Sequence, residues 1–148
     1  MAAAFTFDRY QIKDLVYNLD DSKEPTIGER EINFNIAVLT DNDNHDRFRV
    51  ELKTVVLGNP TIDLVILGYF TSTGYYKEEE VIESVKMVGA SILYPYSRSI
   101  VSMISVQDGN HGIILPTLNL VELFSKENLD EVKKDGLPIA SPDIIVEE

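Results

Sequence analysis

A chain of 148 residues with no cysteine, 13 basic and 25 acidic side chains and a net charge of −12 has the size of one domain that buries its core without disulfides. That balance argues against a phosphate backbone as partner, and the missing thiols exclude disulfide stapling, cysteine catalysis and cysteine-ligated zinc. No segment approaches the ~18 apolar residues of a membrane span and the N-terminus carries no signal-peptide pattern, so the expectation is a cytoplasmic protein without membrane insertion.

Phe5, Phe7, Tyr10, Ile12, Leu15, Tyr17 and Leu19 form a broken alternation, which predicts a strand interrupted by a bulge or twist. Asp20 to Arg30 is polar, holds Pro25 and Gly28, and reads as a crossover loop with freedom to move. Glu31 to Val38 then alternates cleanly, with Ile32, Phe34, Ile36 and Val38 on one side; Arg47 to Val56 repeats the pattern with Phe48, Val50, Leu52 and Val56. Together they predict an antiparallel hairpin. Its Asp41 to Asp46 connection superficially resembles a calcium loop, but Asp46 stands where such a loop needs glycine and Leu52 where it needs glutamate, so a solvated turn is expected and no metal.

Gly58-Asn59-Pro60 is a turn, and Ile62 to Phe70 is apolar on both faces. Either a second subunit or a ligand covers the second face, or this is the ordinary central strand of a monomer. After a loop from Thr71 to Tyr76, Glu78, Glu79 and Glu80 place acids in the first turn of a short helix running to about Val88. Gly89 separates it from a longer helix beginning near Ser91, with Pro95 close enough to that start to be tolerated. Along the longer helix Leu93, Tyr96, Ile100, Met103 and Ile104 recur at three- and four-residue steps, so one side should lie against something. Gly109 and Gly112 break the helix. Asn119 with Glu122 three residues on is a capping-box pattern, stapled by Leu118 and Leu123, and predicts a last helix from near Leu120 that fades before Gly136 and Pro138. From Glu122 onward eight acids and three lysines leave 3 − 8 = −5, and the end from about 136 reads as a flexible acidic tail of this single domain.

The stretches Leu93-Tyr94-Pro95-Tyr96-Ser97-Arg98, Ser102-Met103 and Leu115 to Phe124, with Phe5 to Arg9, Lys13-Asp14 and Glu31 to Gly58 upstream, resemble the SecB family of export chaperones in order and spacing. The resemblance spans roughly residues 5 to 124. It implies an α+β subunit, a four-stranded antiparallel sheet packed with C-terminal helices, assembled as a homotetramer built from two dimers. It also implies that Ile32, Phe34, Ile36, Leu120, Leu123 and Phe124 line a groove for unfolded polypeptide, with core packing as the alternative for each. Tyr96, Ile100, Met103 and Ile104 would then serve the oligomer interface, and Asp14 would match one acidic group by which the family docks the motor ATPase SecA. Two other groups of that docking set fall on Asn18 and Ile66, which weakens the case for delivery to SecA.

Neither histidine, His45 or His111, stands in a catalytic or metal-ligand spacing, and no phosphate-binding glycine loop is present, so neither an enzyme nor a cofactor is expected. Two functions follow from the resemblance. One is an ATP-independent holdase that keeps non-native polypeptides translocation-competent and passes them on in protein export. The other is a SecB-like binding module dedicated to one partner, such as the antitoxin of a toxin–antitoxin system.

Overall fold

Each break in the alternation of the first strand corresponds to a bulge. In the computed structural model, which describes residues 5–41, 46–73, 78–107, 112–118 and 144–147, β1 runs over Phe5–Asn18 and pairs antiparallel with β4, Thr61–Ser72. The register slips between Phe7 and Arg9 and again between Ile12 and Asp14. An extra residue at each slip returns the next apolar pair to the same side, so Phe7, Tyr10, Ile12, Leu15 and Tyr17 all share a face with Phe70, Gly68, Ile66, Leu64 and Ile62.

The expected hairpin is formed by β2, Ile32–Asp41, and β3, Arg47–Val56, in the register Phe34 to Thr54, Ile36 to Leu52 and Val38 to Val50. β3 also pairs with β4, so the order is β1-β4-β3-β2 with all pairs antiparallel. A short β5, Ile144–Glu147, adds a parallel edge strand beside Val38–Asp41. It lies within the stretch read from sequence as an acidic tail, and its β-branched Ile144, Ile145 and Val146 suit a strand.

One helix, α1, Glu78–Ser105, crosses the face carrying Phe34, Ile36, Val50, Leu52, Leu64, Ile66 and Phe70 and seals it as the core. This corrects the expectation of two helices divided at Gly89. A helical glycine costs about 1 kcal/mol relative to alanine, yet a Cβ here would stand 2.7 Å from Cγ2 of Val50, so the bare backbone lets the helix seat on β3. The same close approach recurs at Gly68, where a Cβ would meet the Leu93 side chain at 2.7 Å. Pro95 therefore sits well inside a helix instead of near its start; it is exposed, on the side where water can serve the carbonyl left without its N–H partner.

The side of α1 that meets the sheet is built from Val85, Ala90, Leu93, Tyr94, Ser97 and Val101, each at most 3% exposed. Of the residues picked out by periodicity, Leu93 lies in that stripe and the others flank it. Tyr96 stacks on Tyr10 of β1 with ring centroids 4.2 Å apart, Ile100 and Ile104 are half-buried, and Met103 is 63% exposed. Ala90 and Ser97 are the small side chains of that stripe, and with Gly89 they let helix and sheet approach, where sequence spacing alone weights the bulky ones.

Candidate functional site

The crossover loop is tied down by one side chain. Asn59, in the turn before β4, is buried, and its Oδ1 accepts from the Asp20 backbone N–H at 2.8 Å while its Nδ2 donates to the carbonyls of Asp20, Lys23 and Glu24 at 2.8, 3.1 and 3.3 Å. Its backbone closes the loop further: its N–H donates to Thr26 Oγ1 at 2.8 Å, and its carbonyl accepts from Thr26 N–H at 2.9 Å. Arg30 completes the clamp by donating to the carbonyls of Pro60, Thr26 and Asn59 at 2.6, 3.3 and 3.3 Å. Partial burial lowers the pKa of Arg30, an effect the nearby Tyr17 opposes, but an arginine remains charged through it. At the loop's start Ser22 donates from both N–H and hydroxyl to the Asp20 carboxylate, at 3.0 and 2.6 Å, and these bonds lower the Asp20 pKa. The loop expected to move is thus an anchored scaffold, held by a residue that sequence reading saw only as part of a turn.

Across from it, the segment after α1 is pinned by the helix. Tyr94 donates to the Pro116 carbonyl at 2.5 Å, Arg98 Nε to the Leu115 carbonyl at 3.1 Å, and the Ile113 N–H donates to Ser105 Oγ at 2.7 Å. Burial raises the Tyr94 pKa to about 12, against a lowering influence from Arg98, so the hydroxyl stays protonated and keeps donating at neutral pH. Leu115 is fully buried and fixes the segment to the core; its neighbour Ile114 is thereby turned outward and is 78% exposed.

These two anchored segments face each other across an open cleft of about 700 Å³, lined by Thr26 to Arg30 and Ile32 on one side and Gly112 to Ile114 and Pro116 on the other. A second cleft of about 300 Å³ shares Thr26, Ile27, Arg30 and Ile113 with it and reaches Tyr17, Pro60 and Ser105. Ile27 stands 82% exposed on the loop. The larger volume falls in the roughly 300–1,000 Å³ range of ligand sites, and its walls offer aliphatic side chains to a ligand that brings apolar groups. A backbone scaffold holding exposed isoleucines at its rim can exchange water for apolar contact without demanding a particular sequence.

Of the residues singled out from sequence, Ile32 lines this cleft. Phe34 and Ile36 do not: at 3% and 0% exposed they lie in the core beneath α1, Phe34 packed edge-on against Tyr94 with ring centroids 5.4 Å apart, so their assignment to a groove is corrected. The alternation that places them on one side of β2 is the same for a sealed core as for an open groove. Leu120, Leu123 and Phe124 lie outside the described residues, as do both histidines and the centre of the Asp41 to Asp46 turn. Asp14 is exposed on β1, on the face away from α1, beside Val65. Asn18 is exposed at the end of β1, whereas Ile66 is fully buried and unavailable for docking. Ile27 and Ile114 were not singled out; the available signals were a lone isoleucine between Thr26 and Gly28, and an Ile113-Ile114-Leu115 run between Gly112 and Pro116. Among the described residues no group of three or more His, Asp or Glu is placed to hold a metal ion, and no helix is long and apolar enough to cross a membrane.

The role of Asn59 gives a direct prediction. Asn59→Ala removes the partner of the Asp20 N–H and of the Lys23 and Glu24 carbonyls, the Asp20 carbonyl keeping the Lys23 N–H at 3.2 Å, and each stranded group costs about 1–3 kcal/mol where it stays buried. Amide exchange at Thr26 should accelerate together with a fall in global stability; an unchanged Thr26 exchange rate would show that the loop is held by other means.

No family model matches the chain, and no curated protein matches it. Solved structures do. The SecB-like chaperone Rv1957 of Mycobacterium tuberculosis, solved in complex with a ChAD peptide from the Rv1956 HigA1 antitoxin, is 18% identical over 77% of this chain and 87% of its own, with a TM-score of 0.65. A protein of unknown function from Streptococcus agalactiae is 13% identical over 79% of this chain and 100% of its own, with a TM-score of 0.49. The antiparallel four-strand sheet under a single described helix, together with the Rv1957 superposition, establishes that this chain has the SecB-like fold.

Proposed function

We propose that the chain is a SecB-like binding module that captures an extended apolar segment of a non-native polypeptide in the cleft between the crossover loop and the segment after α1, and that it serves a dedicated partner such as an antitoxin. The observation that carries this reading is the open cleft with two exposed isoleucines held on anchored backbone. The dedicated partner is favoured because Rv1957, which shares the fold, was solved with an antitoxin peptide bound.

A general export holdase is the second reading, supported by the non-directional character of apolar contact. It is weaker at the delivery step: of the three positions matched to the family's acidic docking set, only Asp14 supplies a carboxylate at the surface, since position 18 is a neutral Asn and Ile66 is core. Assembly belongs to either reading. On the α1 side of the sheet, Ile12 is 50% and Met103 63% exposed, with the Tyr10–Tyr96 stack also joining β1 to α1, an apolar surface suited to a second copy. A dimer of dimers would carry 4 × (−12) = −48 charges, so its interfaces would have to be largely apolar. A cytoplasmic setting fits a chain without cysteine.

Breadth of binding separates the two readings. Titrating the chain with a panel of unfolded clients and short apolar peptides, including antitoxin segments, should reveal one class bound about a hundredfold more tightly than the rest. Affinities within about tenfold across the panel would favour the general holdase, and no binding at all would sink both.

A further inference from the structure

Three of the chain's five arginines meet on the face of the sheet away from α1, in a molecule whose acids outnumber its bases 25 to 13. Arg9 of β1 and Arg49 of β3 stand opposite Tyr69 of β4 from either side, and Arg47 lies two residues from Arg49, hence on the same face. They surround a depression of about 530 Å³ that Leu39, Tyr69 and Asp8 also line.

The placement of Arg9 is produced by the first bulge. In an unbroken register Asp8 would oppose Tyr69 and Arg9 would turn with Gly68 towards the helix; the slip after Phe7 puts Arg9 opposite Tyr69 instead. There its guanidinium lies over the Tyr69 ring, 4.0 Å from the centroid, while the Tyr69 hydroxyl is held by Gln11 at 2.9 Å. Stacking on the ring leaves the N–H edges of the guanidinium directed sideways, the arrangement that suits two-pronged bonding to a carboxylate. The one carboxylate lining the depression, Asp8, accepts from Thr71 Oγ1 at 2.7 Å. Glu51, on the same face, is taken up by Lys13 at 3.1 Å. Arg9 and Arg47 are exposed and make no ion pair among the described residues.

We propose that this patch is a second docking surface, separate from the apolar cleft, for an acidic segment of a partner polypeptide. It lies on the opposite face of the sheet and at the opposite end of β2 and β3 from Ile32, so both sites can be occupied at once. A peptide fits better than a nucleic acid for two reasons. Three clustered cations match a few carboxylates, and Leu39 and Tyr69 offer apolar contact between them; an extended phosphate backbone would outrun three cations in a chain whose net charge is −12.

The test is fluorescence anisotropy with a labelled peptide alternating glutamate and leucine, compared with one alternating lysine and leucine. The parent should bind the first more tightly than the second, with the preference shrinking as added salt shortens the screening length. The exposed double variant Arg9→Gln, Arg47→Gln should melt like the parent and bind the acidic peptide at least about tenfold more weakly, as expected for lost bonds to a charged group. The cleft variant Ile27→Ser, Ile114→Ser should bind it unchanged. The proposal is overturned if the parent does not bind the acidic peptide, if the arginine variant binds it as well as the parent, or if the cleft variant loses it. Displacement of the peptide by an equal concentration of short duplex DNA would also overturn it, by assigning the patch to a phosphate backbone.

Discussion

The double variant Ile27→Ser, Ile114→Ser should remain folded and lose most of its hold on an apolar peptide. At 82% and 78% exposed, neither side chain contributes much burial to the free chain, and surface changes of this kind fall within about 0.5 kcal/mol each. For a chain of this size that is a shift of no more than a few degrees in melting temperature. A bound ligand that covers the rim changes the accounting, because each large aliphatic side chain contributes about 1.5–3 kcal/mol when fully removed from water. Two such contacts, even half covered, correspond to a loss of at least about tenfold in affinity, at 1.4 kcal/mol per decade. The measurement pairs thermal melting with peptide titration by calorimetry. A variant that binds an apolar peptide as tightly as the parent would remove the cleft from consideration and with it the proposed function.

Phe34→Ser should produce the reverse pattern. With 3% of its surface exposed and its ring set edge-on against Tyr94, Phe34 is part of the core, and truncating a buried phenylalanine typically costs about 3–5 kcal/mol. That is a large share of the roughly 5–15 kcal/mol by which a domain is stable. Tyr94 also holds the Pro116 carbonyl, so loss of its packing partner should loosen one wall of the cleft and weaken peptide binding as a secondary effect. Urea denaturation decides the matter. A midpoint close to that of the parent, with peptide binding alone impaired, would return Phe34 to the ligand surface.

These two experiments mark how far the cleft was legible in sequence. Ile32, Phe34 and Ile36 share one side of β2 because side chains alternate along a strand, a local rule visible in any alternating run. Whether that side meets helix, ligand or water depends on residues elsewhere in the chain. Here α1 covers Phe34 and Ile36 and leaves Ile32 at the rim. Ile27 and Ile114 lie in segments with no periodic signal, and their exposure follows from the Asn59 and Ser105 bonds that orient the backbone on either side.

By itself, then, the sequence determined the four antiparallel strands, the hairpin and both phase breaks in β1, but not β5, because alternation and turn chemistry act between near neighbours. The resemblance in motif order extended this to the four-stranded α+β subunit. Only the tertiary structure decided that Gly89 belongs inside a helix, since the reason is the position of Val50 on a strand far away in sequence. It likewise decided which apolar side was core, that Asn59 is the hub of the crossover loop, and that Arg9 stands beside Tyr69 and Arg49. Each of these depends on which distant residues share space, and periodicity records the side a residue faces without recording what covers it.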